Sequence, residues 1–232
     1  MHIQHLGHSC FKLQGKDSKG EGITIVTDPF NKDYGLRVPS TEADIVTISH
    51  DHKDHNNISA IKGSPYVIDT AGEYEIKDTF IQGIDSAHDD KDGKEHGGNL
   101  IYRINFEDVV ITHLGDLGHV LNNKQIEALQ GTDILIVPVG GTYTLDAKKA
   151  VEVINQVEPR MVIPMHYQVP GLKFKSGETI DSVDKFIKEF GIKPTSPHEI
   201  TGGNISRGKE DKLKITKKDL PSEDMELIIF KS

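Results

Sequence analysis

Three histidines and two aspartates crowd into the stretch His50-Asp51-His52-Lys53-Asp54-His55. Imidazole nitrogen and carboxylate oxygen are donors that zinc, manganese and iron accept from proteins. On extended backbone, side chains two residues apart leave on the same side, so His50 and His52 can grip one ion. Asp54 and His55 follow at a turn, where neighbouring side chains diverge and can reach a second ion beside the first. A solvated histidine–aspartate turn is the competing interpretation. Against it stands what precedes: the β-branched run Ile45-Val46-Thr47-Ile48 predicts a buried strand. Sites in open α/β folds lie at the carboxyl ends of strands, and this cluster does too. Asn56 and Asn57 then offer an N-cap to a short helix over 58–61.

The elements that must position these groups are legible on either side. Cys10 to Gln14 and Ile23 to Thr27 flank a polar, glycine-rich turn and predict a hairpin. Tyr66 to Ile68 is a short strand, and Thr79 to Ala87 a longer one that ends at His88. Residues 89–95 are all charged or glycine, which predicts a solvated hairpin tip. Leu100 to Ile104 then pairs with Val109 to Thr112 across a tight turn. The second half alternates strand and helix. A helix near 122–130 is capped by asparagine and stopped by Gly131, and Ile134 to Val139 is a strand buried on both faces. Thr144 can cap a helix whose apolar face is Ala147, Ala150, Val151, Ile154 and Val157. Met161 to Met165 is the next strand, and Ile180, Val183, Ile187 and Phe190 mark a last helix ended by Gly191. Two short strand-like runs lie between Lys212 and Phe230. With no repeat and no linker, residues 1–232 are expected to form one domain.

Composition narrows the partners. A net charge of −9, from 36 acidic against 27 basic residues, disfavours a groove that tracks nucleic acid. No run approaches the roughly 18 apolar residues of a membrane span, and no secretory signal is visible. Cys10 is the single cysteine, so no internal disulfide can form, and a reducing cytoplasm is the expectation. The oligomeric state is not legible.

His50-x-His52-x-Asp54-His55 resembles the H-x-H-x-D-H signature of the metallo-β-lactamase-fold superfamily. Leu6-Gly7-His8-Ser9, Thr27-Asp28-Pro29-Phe30, His113-Leu114-Gly115-Asp116 and Ile163-Pro164-Met165-His166-Tyr167 are similar, in the same order, to its branch of L-ascorbate-6-phosphate lactonase-like hydrolases. The resemblance implies a four-layer αββα sandwich. It implies one ion held by His50, His52 and His88, a second held by Asp54, His55 and His166, and Asp116 bridging them. Zinc suits these donors best, with iron and manganese chemically reasonable. The family's matching aspartate makes Asp28 a support for the metal loop. His8 is either a pocket residue or an ordinary strand-end histidine.

The histidine completing the first site is the least determined ligand. His88 terminates a strand, as His50 and His166 do, and matches the family's third motif in order. His96 is the alternative, at the far end of a charged loop. Strand alternation puts His113 on an apolar side, and His119 is free to turn inward.

The function implied is a metal-dependent hydrolase in which metal-bound hydroxide attacks a small lactone, ester or phosphodiester. Asp54 also orients that hydroxide and carries its proton to the leaving group. Tyr143 and Tyr167 are candidate substrate contacts. A di-iron redox site in the same fold is the second reading, against which His52 stands where glutamate is usual. The third is a metal-stabilised binding protein without turnover.

Overall fold

Every residue of the strand Ile134–Pro138 is buried, yet its side chains serve two cores. Ile134 and Ile136 pack with Leu13, Ile25, Ile45 and Ile104, while Leu135 and Val137 pack with Ala150, Ile154 and Phe186 of helices. Period-two alternation divides one apolar run between a sheet-facing and a helix-facing side, as a strand covered on both faces must. Met161 and Ile163 against Val162 repeat the division on the neighbouring strand. Each such side chain contributes roughly 1.5–3 kcal/mol relative to exposure.

This computed structural model describes residues 1–38, 40–174, 176–197 and 211–230. The chain begins with β1 His2–Gly7, β2 Cys10–Lys16 and β3 Gly22–Thr27. Next come β4 Thr41–Glu42, β5 Ile45–Thr47, β6 Ile61–Lys62 and β7 Tyr66–Ile68. A meander follows, of β8 Gly72–Ile76, β9 Thr79–Ala87, β10 Gly98–Phe106 and β11 Val109–His113. The remainder is α1 Asn123–Leu129, β12 Ile134–Pro138, α2 Ala147–Val157, β13 Met161–Met165, α3 Val183–Phe190, β14 Pro194–Thr195, β15 Leu213–Lys214 and β16 Glu226–Ile228. One sheet has the order β15-β1-β2-β3-β5-β7, the other β14-β16-β13-β12-β11-β10-β9-β8.

The mixed α/β sandwich agrees with expectation, with one asymmetry. Among the described residues the α-helices pack on the eight-stranded sheet. The outer face of the other sheet is closed by Val26, Phe30, Val46, Ile48 and Ile61, with two 3₁₀ turns and the β4–β6 ribbon.

Two strands escape the hydrophobic pattern. β1 carries Gln4 and His5 where apolar residues are expected, and β8 is an edge strand with three of its five residues exposed. Two caps differ as well. α2 is capped by Asp146, which accepts from the Lys149 N–H, rather than by Thr144. The turn at Ile58–Ala60 has no side-chain cap to a backbone N–H: Asn57 Oδ1 accepts from the Ser59 hydroxyl at 2.8 Å, and its amide donates to the Phe30 carbonyl at 2.9 Å.

What matters for the site is where the strands stop. β3, β5 and β7 run parallel, as do β11, β12 and β13, so their carboxyl ends gather on one rim. Tyr102 of β10 locks the two sheets there: its buried hydroxyl lies 2.8 Å from the carbonyl oxygens of both Ile48 and Ile68.

Candidate metal centre

The loop after β5 delivers His50, His52, Asp54 and His55, while His88 follows β9, Asp116 follows β11 and His166 follows β13. All seven converge on one place. Ligand atoms of His50, His52 and His88 lie within 4.8 Å of one another, as do those of His50, His55 and Asp116. A third such group is His8, Asp54, His55 and His166. Asp116 Oδ2 sits 3.1 Å from the Nε2 atoms of both His88 and His166, and 3.2 Å from that of His55. It occupies the middle of the cluster.

The partners of the imidazoles fix which nitrogen carries a proton. Asp28 is fully buried and can only accept, so His55 Nδ1–H donates to it at 2.9 Å and turns Nε2 toward Asp116. His88 Nδ1–H donates to the Tyr143 carbonyl at 2.9 Å, again turning Nε2 inward. Ser49 gives its hydroxyl proton to Asp28 at 2.6 Å and accepts from His50 Nδ1 at 2.9 Å. These outer bonds set ring orientation and tautomer, the way metal-ligating histidines are usually held. His50 Nε2, His55 Nε2 and Asp116 Oδ1 are then buried with no hydrogen-bond partner. Inward-facing lone pairs left unpaired in a buried cluster are what a cation would satisfy, so the residues fit a metal.

Electrostatics agree. Burial raises the Asp116 carboxyl, but His166 and His55 outweigh it and hold its pKa well below the ordinary value. Burial opposes the His55 cation, and Asp116 followed by Asp54 overcomes it, leaving that pKa well above 6.5. Burial and then His55 drive His50 down to about 2. The carboxylates that raise the His55 pKa are the ones a divalent ion would neutralise.

Backbone strain collects at the same rim. His8, Asp28 and His166 have φ of 53°, 40° and 51°, left-handed values that cost side-chain-bearing residues of order 1 kcal/mol each. Gly115 has φ 56°, and a Cβ there would lie 2.3 Å from Asn99 Oδ1 and 2.7 Å from Ser49 Cβ. Only glycine lets the Asp116 loop pass this close to the metal loop.

The undecided residues now have places. His96 stands further out than His88, their ring centroids 5.5 Å apart. His113 Nε2–H donates to the Ser9 carbonyl at 2.9 Å while Nδ1 accepts from Gly115 N–H, tying β2's start to the Asp116 loop. His119 Nε2 accepts from Ala87 N–H at 3.2 Å and so steadies the residue before His88. His8 lies inside the cluster, 3.3 Å from Asp54 Oδ2. Tyr143 lines the cleft, but Tyr167 does not: past the left-handed turn at His166 that follows β13, it is buried in the helix-facing core. The hairpin tip is exposed at residues 90–92, 94 and 95, as expected, with Asp89 the exception. Asp89 is buried and its carboxylate accepts from the backbone N–H groups of Lys91, Gly93, Glu95 and His96, so the loop closes on an internal anchor.

Three contributors carry no sequence signal of their own. Ser49 relays Asp28 to His50. Asn99 holds the Asp116 loop, accepting from Asp116 N–H at 2.8 Å and donating to the Leu114 carbonyl at 2.9 Å. Tyr34 lines the cleft, its phenol pushed up by burial and by Asp54. A lone polar residue at a strand end is too common to single out.

The cleft above the cluster has a volume of about 470 Å³. No helix among the described residues is long and apolar enough to cross a membrane.

Residues 2–166 match the model of a beta-lactamase superfamily domain. A metal-dependent hydrolase of Staphylothermus marinus is 30% identical over 194 residues, spanning 71% of this chain and 82% of its own length. One of Pyrococcus horikoshii is 29% identical over 195 residues, spanning 71% and 84%. A proposed zinc-dependent hydrolase of the metallo-β-lactamase superfamily from Thermotoga maritima superposes with a TM-score of 0.73 at 32% identity, over 98% of this chain and 97% of that one.

Proposed function

Because the chain belongs to the metallo-β-lactamase superfamily and is a metal-dependent hydrolase, we propose that it uses two ions, zinc by preference, to hydrolyse a small lactone, ester or phosphodiester. The carrying observation is the set of buried, unpaired ligand atoms, His50 Nε2, His55 Nε2 and Asp116 Oδ1, the two imidazoles turned inward by outer hydrogen bonds. In this reading His50, His52 and His88 hold one ion, Asp54, His55 and His166 the other, and Asp116 lies between. The sequence motifs resemble lactonase-like hydrolases, which favours acyl substrates within that range. A buried single cysteine suits a reducing cytoplasm, and residues 1–232 act as one domain.

When bound, such a pair of ions acidifies a water toward pKa ~7 and polarises the oxygen under attack. The chain's own residues do the rest. Asp54 is held ionised: burial raises its pKa, and His55 and His8 bring it far below the ordinary value. Ionised, it can accept a hydrogen bond from the attacking water and orient it, passing the proton on to the leaving group rather than keeping it. Asp28 and Ser49 keep the loop's rings from rotating, so the donors need no reorganisation during the reaction. Tyr34 and Tyr143 border the open side, where substrate must enter.

The test is a panel of lactones, esters and phosphodiesters assayed with metal-loaded protein, with chelator-treated protein, and with His52→Ala and Asp54→Ala. Metal-dependent turnover, lost together with bound metal in both variants, is expected. Full metal content in both variants would contradict the assignment of the loop.

A further inference from the structure

The cleft has two unlike walls. One is the donor cluster. The other is aromatic: Phe174 lies 5.8 Å from Tyr34 and 5.5 Å from Tyr143 by ring centroids, and 6.0 Å and 6.3 Å from the rings of His8 and His166. Half-buried Tyr34, Tyr143 and Phe174 thus form a cage open to the cleft and directly beside the cluster.

The cage is built from separate segments and tied in place. Lys173 N–H donates to the Tyr34 carbonyl at 3.0 Å. Gly35 has φ 77°, and a Cβ there would sit 2.3 Å from the Gly171 carbonyl, so the two loops meet where only glycine fits. The Tyr143 hydroxyl bonds Glu178 and lies 3.0 Å from Ser176 Oγ. Rings fixed this way present flat apolar area at little further entropic cost.

Charge on the lining completes the picture. Lys53 is the single lysine or arginine among the described lining residues, and Asp51, Asp54 and Asp116 are also there. Two ions can grip the oxygens at the reacting centre. A phosphoester brings anionic oxygen into the cleft, for which sites normally add arginine or lysine donors. The described lining offers one lysine and three aspartates instead.

Building on the hydrolase reading above, we infer that the substrate is an uncharged carboxylic ester or lactone bearing a flat apolar substituent, which seats in the cage of Tyr34, Tyr143 and Phe174. Water adds its oxygen to the acyl carbon and the acyl C–O bond breaks. One water proton ends on the alcohol released and the other leaves as the carboxylic acid ionises; a lactone gives one hydroxycarboxylate.

The experiment compares γ-butyrolactone, γ-phenyl-γ-butyrolactone and bis(4-nitrophenyl) phosphate on zinc-loaded protein, with Phe174→Ala and Phe174→Leu alongside. The phenyl group sits on the carbon that bears the leaving oxygen, so the ratio is normalised to the two lactones' alkaline hydrolysis, and what exceeds it reports the cage. A single methylene more or less in an apolar pocket changes kcat/KM by about 10–200-fold. The expected result is kcat/KM at least about tenfold higher for the phenyl lactone than for its parent, a ratio that falls toward one in Phe174→Ala mainly through KM, and still slower phosphodiester turnover. Lactone turnover with no gain from the phenyl group, an unchanged ratio in both variants, or faster phosphodiester turnover would each overturn the inference while leaving the hydrolase intact. Turnover of none of the three would count against the hydrolase reading. In that event calorimetry with 3-phenylpropionate and acetate still judges the cage: tighter phenylpropionate binding that Phe174→Ala abolishes supports it, and equal binding overturns it.

Discussion

Asp28 and His55 are joined by a buried 2.9 Å hydrogen bond between Oδ2 and Nδ1–H, and the same carboxylate also takes the Ser49 N–H and hydroxyl. One side chain from the end of β3 therefore orients two imidazoles of the metal loop. Burial raises the Asp28 pKa, and the His55 bond more than offsets it, so the group stays ionised and acceptor-only. Asp28→Asn keeps the shape but brings an amide donor against Ser49 or His55. Metal affinity is expected to fall by about 10–100-fold, measured by competition with a chromophoric chelator.

His8 Nε2 and Asp54 Oδ2 are 3.3 Å apart, and the His8 carbonyl is itself held by His5 Nε2–H at 2.8 Å. With Nε2–H donated, His8 steadies one oxygen of Asp54. His8→Phe retains the ring and removes the donor. Binding of the ion assigned to Asp54, His55 and His166 should weaken by about 10–100-fold, while the ion at His50, His52 and His88 keeps its affinity. Stepwise titration monitored by calorimetry distinguishes the two.

The metal loop is legible in the sequence because its chemistry is packed into contiguous residues and fed by an apolar strand. Its support is not. Ser49, Asn99 and Tyr34 act across separations of many residues, and nothing local marks a serine that accepts from one neighbour while donating to a distant aspartate. Strands β1 and β8 are hidden for a related reason. His5 and Gln4 break the apolar pattern of β1 because His5 is used to hold the His8 carbonyl, and β8 lies on an edge with little to bury. Asp89 misleads most plainly: a run of charges predicts solvent, yet one of those carboxylates is the internal acceptor that closes the loop.

Tyr102→Phe tests the lock between the sheets. Its hydroxyl is the donor to the Ile48 carbonyl beneath the metal loop, and a buried carbonyl left without a partner costs about 1–3 kcal/mol. Urea unfolding should show a loss of that size with unchanged m.

Stability should also fall in mild acid. Burial, partly opposed by the His8 carbonyl, lowers His5 to about 4, and burial followed by His166 lowers His8 to about 4. The fold keeps both rings neutral, whereas the unfolded chain protonates them below about 6.5. A lowered histidine therefore destabilises progressively as pH drops from 6.5 and stops contributing below about 4. His5→Gln, which lies outside the ligand set, should flatten the pH dependence of the urea midpoint between those limits; an unchanged slope would exclude His5 as a source.

Whether two ions are held by the seven named side chains is measured directly by anomalous diffraction from a crystal grown with zinc. Two peaks about 3.5–4 Å apart are predicted, one contacted by His50, His52 and His88 and the other by Asp54, His55 and His166, with Asp116 reaching both. A single peak, or a first peak contacted by His96 with His88 turned away, would contradict it.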